Sequence, residues 1–347
     1  MRAMAALHSL SIETAAFLSG LNAVTLRRPL VGAVLAALLG FSPVSAEDSG
    51  KTFKVGLLEP STPVPRFTSL RLDALRDLGY VEGRNLLFIQ RWAGGSEEQL
   101  HRNAAELVEL KVDVIMVGTS TGVRAAATAT KTIPIVAVDL ESDPIANGWA
   151  ASLARPGGNI TGFFLDLPDL SGKRLEQLTE VVPGLSRVAV LWDSFQDRTP
   201  LKAVETSAKA LGLGIVMLEV RGPEDFGRAF RRAVKERAQA VLVWGSPMVD
   251  GNAAEIAALA TQHRLPIAGL FPFHPESGFL MSYGPDVDDL IRRSIVYADR
   301  ILKGEKPGNL PVQRPAKFYL VLNLKTAKVL GTTFPQTLLL QADRVIK

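Results

Sequence analysis

From Phe53 to Tyr283 the chain alternates short, unbroken apolar runs with stretches whose apolar positions recur every three or four residues. FKVGLL (53–58), NLLFIQRW (85–92), VDVIMV (112–117) and IPIVAV (133–138) read as strands. The first helical stretch puts Phe67, Leu70, Ala74, Leu75 and Leu78 on one face and stops at Gly79. The second opens with Ser96 and Gln99 as a capping box and turns Leu100, Ala104 and Leu107 inward. The third is alanine-rich and separates 112–117 from 133–138. After NITGFFL (159–165) the alternation resumes. A helix with Leu175, Leu178 and Val182 leads to RVAVLW (187–192), and Pro200 opens a helix carrying Val204, Ala208 and Leu211. GIVMLEV (214–220), a helix with Phe226, Phe230 and Ala233, QAVLVW (239–244), a helix around Ile256 and Leu259, LPIAGL (265–270) and GFLMSY (278–283) follow.

Strands without polar alternation are buried on both faces, as in parallel sheets covered by helices. Two such series in succession predict an α/β protein of two doubly wound parallel-sheet lobes. The remaining stretch, 284–347, is too short for a third lobe. It contains a helix (Leu290 to Leu302), a proline-punctuated extended piece and two short helices, and is expected to fold back over the lobes already built.

The first fifty residues break this pattern. Arg27-Arg28 precedes an apolar run from Leu30 to Phe41 and a small-residue exit ending at Ala46, which predicts a cleavable secretory signal over 1–46. The run is shorter than the roughly 20 residues a membrane-spanning helix needs. Export to a periplasm is therefore expected. The chain has no cysteine, so it carries neither a disulfide nor a lipid anchor of the bacterial lipoprotein type. Lysine plus arginine number 39 against 35 acids, and removing the signal takes three arginines and one glutamate. That near-balance speaks against a nucleic-acid partner.

Gly118-Thr119-Ser120-Thr121-Gly122 matches the G-x-S-x-G pattern of serine hydrolases, in the strand-to-helix setting the pattern requires. The other requirements are missing. Downstream of Ser120 stand only His263 and His274, and His274, within FPFHPESG, reads as a surface-loop residue. No His-Gly oxyanion segment precedes Ser120. The same residues serve a ligand equally well. At the carboxyl end of a parallel strand they face the crevice where α/β proteins bind small molecules. Their hydroxyls, with the unpaired amides of the next helix, suit a carboxylate. Plain helix capping is the structural alternative. No G-x-G-x-x-G, Walker loop or metal-ligand spacing occurs, so no cofactor or metal is expected. RPGGN (155–159) reads as a turn closing a helix.

SLARPGGNITG (152–162) is one of a series of segments with a common resemblance. LRDLGYVEGRNL (75–86), AAELVELKVDVI (104–115), SDPIANG (142–148), PGLSRVAVLWD (183–193), SYGPD (282–286) and ILKGEKPGNLPVQRPAKFYLVLNLKTAKVLG (301–331) belong to it as well. Together they resemble the ABC-transporter substrate-binding proteins of the tryptophan/tyrosine type, which have the class I periplasmic-binding fold. The resemblance implies three hinge crossings, near Phe164–Leu170, Leu280–Asp286 and Asn309–Ala316. It implies an N-terminal lobe of 52–165 with 284–308 and a C-terminal lobe of 166–283 with 312–347. Ligand would lie in the cleft and closure would bury it. Implied contacts are Ser61, Thr62, Thr119, Ser120, Thr121 and Asp143 from one lobe, Asp193, Trp244, Ser246 and Phe271 from the other, and Tyr283 at a hinge. Implied partners are a small-molecule ligand and the permease and ATPase subunits of an inner-membrane importer, with the binding protein itself a monomer.

Two segments depart from the family pattern where ligand is read. DSFQDR (193–198) stands in place of an Asn-Pro stretch, and GTSTG in place of Gly-Thr-Pro-Ala. The residues themselves suggest a zwitterion. The hydroxyls at 119–121 favour an anionic oxygen group, Asp143 and Asp193 could accept from an ammonium, and Trp244 offers an aromatic wall. Alternatively Asp143 caps the helix that follows and Asp193 lies in solvent. A serine hydrolase using Ser120 and a sensor that binds ligand without transport are the competing functions.

Overall fold

The structure is a computed structural model that describes residues 51–347 apart from 141, 142, 166, 197, 199 and 200. The signal segment 1–46 and the helix start at Pro200 lie outside the described residues.

The first sheet is built from β1 (Phe53–Glu59), β2 (Leu86–Trp92), β3 (Val114–Val117), β4 (Ile135–Ala137) and β5 (Ile160–Gly162), in the order β2-β1-β3-β4-β5 and parallel throughout. Between them run α1 (Pro65–Asp77), α2 (Glu97–Glu109) and α3 (Ser120–Ala129). Alternate strand residues point to opposite layers. Val55, Leu57, Val114 and Met116 pack with Phe67, Ala74 and Leu75 of α1, while Leu58, Ile115 and Val117 pack with Leu100, Leu107 and Val123 of α2 and α3. This two-sided burial explains why the strands are apolar without interruption.

The second sheet contains β6 (Arg187–Asp193), β7 (Gly214–Val220), β8 (Ala240–Val243), β9 (Ile267–Gly269), β10 (Met281–Pro285), β11 (Phe318–Asn323) and β12 (Arg344–Ile346), in the order β12-β11-β10-β9-β8-β6-β7. Helix α4 (Leu167–Val181) leads into β6, and α5 (Leu201–Ala210), α6 (Phe226–Lys235), α7 (Pro247–Gly251) and α8 (Ala253–Gln262) connect the strands from β6 to β9. In α6 the buried residues are Phe226, Ala229, Phe230 and Ala233, one continuous stripe at helical spacing. Each phenylalanine buried there stabilises the lobe by about 1.5–3 kcal/mol.

Four local expectations are corrected. The second sheet is not parallel throughout, because β11 runs antiparallel to β10. Residues 344–346, beyond the two short helices α10 (Leu324–Leu330) and α11 (Gln336–Gln341), form an edge strand parallel to β11. Ser96 does accept from the amide of Gln99, but the Gln99 side chain donates to Asn103 instead of returning to Ser96, so only half of the capping box forms. RPGGN does not close a helix. It is a loop in which Gly157 N donates to Gly308 O and Ala151 N to Pro156 O.

The chain passes between the sheets three times. After β5, Phe163 pairs with Gln313, and the Thr161 hydroxyl donates to Leu310 O at 2.7 Å. After β10, α9 (Val287–Leu302) crosses back to pack on α1, β3 and β4. The Tyr297 hydroxyl then donates to Pro311 O on the third pass.

Candidate ligand-binding site

In an open α/β sheet a ligand binds outside the carboxyl ends of the strands where the strand order reverses. The first sheet reverses between β1 and β3, and the second between β6 and β8. The chain leaving these strands carries Glu59, Gly118-Thr119-Ser120 and Trp244-Gly245-Ser246, and all of these line one cavity between the lobes. Asp139 after β4 and Phe271 after β9 join them, with Arg71 and Phe67 from α1, Trp92, Gln196, Asp250, and Val287 and Ile291 of α9.

Glu59 and Arg71 are the charged pair of this cavity. Arg71 Nη2 donates to Glu59 Oε1 at 2.7 Å, and the two side chains are 4% and 3% exposed. Each keeps one atom in hand. Glu59 Oε2 and Arg71 Nε are buried and find no hydrogen-bond partner among the described residues. Burial pushes the Glu59 carboxyl above the usual carboxylate range, and the Arg71 guanidinium works against that rise.

This pair also explains the glycines of GTSTG. A Cβ on Gly118 would stand 2.6 Å from Glu59 Oε2, and one on Gly122 would stand 2.4 Å from a Val117 methyl carbon. Gly118 leaves room for the carboxylate, and Gly122 lets α3 close onto β3. Thr119 is the N-cap and accepts from Gly122 N. Ser120 is the first residue of α3 and is buried. The strand–turn–helix is therefore present for packing and capping reasons.

The second lobe supplies an aromatic wall and a second acid. Trp244 and Phe271 are buried cavity residues. Behind Trp244 lies Arg174, fully buried, its guanidinium 5.8 Å from the indole centroid and donating to Val243 O at 2.8 Å. Burial pushes this guanidinium down to about 9. Asp250, 4% exposed, meets His274 Nε2 at 3.0 Å. His274 was expected on the surface and is completely buried. Its Nδ1 accepts from the amides of Leu270 and Phe271, so the ring proton sits on Nε2 and is donated to Asp250. Burial raises the Asp250 carboxyl above its ordinary range, against the effect of His274.

Of the residues expected at the site, Thr119, Ser120, Trp244, Ser246 and Phe271 line the cavity. The others lie elsewhere. Ser61 is buried and donates to Thr62 O, while Thr62 is exposed. Thr121 reaches the other lobe, where its hydroxyl stands 3.5 Å from Phe195 O. Asp143 is exposed and caps the turn that follows, accepting from Ile145 N and Ala146 N. Asp193 is not in solvent. It is buried, accepts from Phe195 N and is bonded by Ser246, and burial raises its carboxyl. Tyr283 is half-buried beside Phe318. Missed in the sequence were Glu59, Arg71, Asp139, Gln196 and Asp250. A signal existed for two of them: Glu59 ends an otherwise apolar strand, and Arg71 occupies a core-facing position between Phe67 and Leu75.

Two doubly wound lobes whose switch points share one cavity define a two-lobed ligand-binding protein of the class I periplasmic type. The chain belongs to the family of ABC transporter substrate binding proteins, whose pattern matches residues 70–346. A tyrosine-binding protein of Clostridioides difficile (strain R20291) is 24% identical over 263 residues, covering 75% of this chain and 74% of the relative. A solved structure of a conserved domain protein from Vibrio cholerae is 26% identical with a TM-score of 0.74, covering 85% of this chain and 100% of the other. The ABC domain in complex with L-Trp from Streptococcus pneumonia has a TM-score of 0.73 at 22% identity, with the same coverage. The family makes this chain a solute-binding protein and not an enzyme. Among the described residues no helix is long and apolar enough to cross a membrane.

Proposed function

We propose that the protein captures an amino acid with an aromatic or large apolar side chain between its lobes and hands it to an ABC importer. The observation that carries this reading is the buried Glu59–Arg71 pair, with one acceptor and one donor atom unpartnered inside a cavity walled by Phe67, Trp92, Trp244 and Phe271. Glu59 Oε2 suits an ammonium, while Arg71 Nε and the start of α3 suit a carboxylate. The relatives that bind tyrosine and L-Trp support the same class.

The lobes are 52–165 with 284–308 and 166–283 with 312–347, and they close about 164–170, 280–286 and 309–316. Phe67 meets Phe273 of the other lobe edge-on at 6.1 Å, and the Arg66 guanidinium lies 4.9 Å from the same ring. The protein works as a monomer in the periplasm after loss of 1–46, alongside permease and ATPase subunits. Calorimetry with L-tyrosine, L-tryptophan, L-leucine and a neutral sugar tests the ligand class. An aromatic amino acid is expected to bind best, and preference for the sugar would overturn the reading. Small-angle scattering should show contraction on saturation with the best amino acid.

Affinity is expected to fall on acidification, starting at a pH above the ordinary carboxylate range near about 4. Glu59, faced by Arg71, and Asp250, faced by His274, both have raised carboxyl pKa values, and each loses its charge as protons are taken up. The sign for folding is opposite. A carboxyl raised above its unfolded value binds protons more tightly in the native state, so these two groups favour the fold as pH falls. Binding should therefore weaken while the lobes remain folded. Calorimetry from about pH 7.5 to about pH 5, with circular dichroism alongside, separates the two effects. A flat affinity profile would remove both carboxylates from ligand contact.

A further inference from the structure

We infer that the cavity requires the ligand's ammonium group and not its carboxylate, so that arylalkylamines lacking a carboxylate are themselves ligands. This rests on the reading of the cavity as an amino-acid site. Three acids, Glu59, Asp139 and Asp250, line the cavity, and Arg71 is the one basic residue among its described lining residues. Arg71 donates to Glu59 through Nη2, so its charge is offset by that acid within the protein, while its Nε stays a buried donor without a partner among the described residues. Glu59 keeps Oε2 without a partner although its side chain is 3% exposed. A buried acceptor left unmade is costly, and a ligand that donates to it recovers that cost.

Asp250 adds a second acid from the opposite lobe. His274 holds it through a neutral donor and brings no compensating charge in this tautomer, because Nδ1 is occupied by two backbone amides. A ligand ammonium thus enters a cavity where Glu59 and Asp250 stand on opposite lobes, walled by the aromatic rings of Phe67, Trp92, Trp244 and Phe271. A ligand carboxylate enters the same field against repulsion. Its anchors are Arg71 Nε, on a guanidinium whose charge Glu59 already offsets, and neutral hydroxyl and amide donors at the start of α3. Neutral donors replace bonds the carboxylate has in water and contribute less than charge-assisted ones. Glu59 comes from one lobe and Asp250 from the other, so a cation between them also favours closure.

The test uses the wild-type protein and three probes that share one side chain: L-tyrosine, tyramine and 3-(4-hydroxyphenyl)propionate, with the tryptophan, tryptamine and indole-3-propionate set in parallel. Calorimetry is expected to place each amine within about tenfold of its amino acid and each propionate at least about a hundredfold weaker. Asp250→Asn, which retains an acceptor for His274, should weaken amine and amino acid by about tenfold or more without weakening the propionate. A propionate that binds as tightly as the matching amine overturns the inference while leaving the amino-acid reading standing. If none of the six binds and a neutral solute does, the amino-acid reading fails, and the inference with it.

Discussion

Replacing Arg71 with methionine is expected to destabilise the protein by about 3–5 kcal/mol, because it strands Glu59 as an unpaired acid inside the fold. The two side chains are almost wholly buried and joined at 2.7 Å, and Glu59 already has one oxygen without a partner. Removing the guanidinium leaves the whole carboxylate unmatched, so it must either stay charged in a poor medium or take up a proton. For a chain of this size the melting midpoint should drop by on the order of 10 °C. The control is the double variant Glu59→Leu, Arg71→Met. An apolar replacement of both partners is often neutral, so most of the lost stability should return while amino-acid binding does not. Thermal unfolding of the three proteins decides the matter. A midpoint for Arg71→Met within about 2 °C of wild type would mean the pair is solvated in solution.

His274→Ala is expected to be similarly damaging, at about 3–5 kcal/mol, for a different reason. One ring satisfies two backbone amides and one buried carboxylate, and it also stacks on Phe279 at 4.8 Å and meets Phe273 edge-on at 4.6 Å. Its removal orphans three polar groups and leaves a void between the two rings. Because Asp250 and Phe271 both line the cavity, ligand affinity should fall together with stability. Phe273→Leu is the contrast, since it removes the interlobe aromatic contact but leaves Asp250 and both amides partnered. It should weaken ligand binding with little loss of lobe stability. Equal midpoints for His274→Ala and wild type by denaturant unfolding would overturn the account.

The strand-end residues of the site were legible because strand ends are legible. An apolar run that stops at a Gly-Thr-Ser or a Trp-Gly-Ser marks the carboxyl end of a parallel strand, and doubly wound sheets bind ligands at that end. Thr119 and Ser120 follow from that rule, while Trp244, Ser246 and Phe271 came from the family resemblance. Asp143, implied by the resemblance, does not line the cavity, because its short polar side chain satisfies its own turn by accepting from Ile145 N and Ala146 N. Asp193 failed more subtly. It stands at a strand end, but Ser246 and the Phe195 amide hold its carboxylate.

Local patterning by itself determined the α/β class, the alternation of elements and the two successive lobes, because side-chain periodicity is a property of neighbouring residues. It also raised the question of GTSTG without being able to answer it. Only the tertiary structure decided that Gly118 makes room for Glu59, that Arg71 reaches Glu59 from α1, and that His274, 24 positions from Asp250, lies buried against it. The extended piece at 318–323 became a strand antiparallel to β10, and 344–346 an edge strand, for the same reason. Pairing between distant segments depends on how two lobes are placed by three crossings of the chain, and burial of a charge depends on what the opposite segment brings to it. Neither quantity is carried by any single stretch of residues.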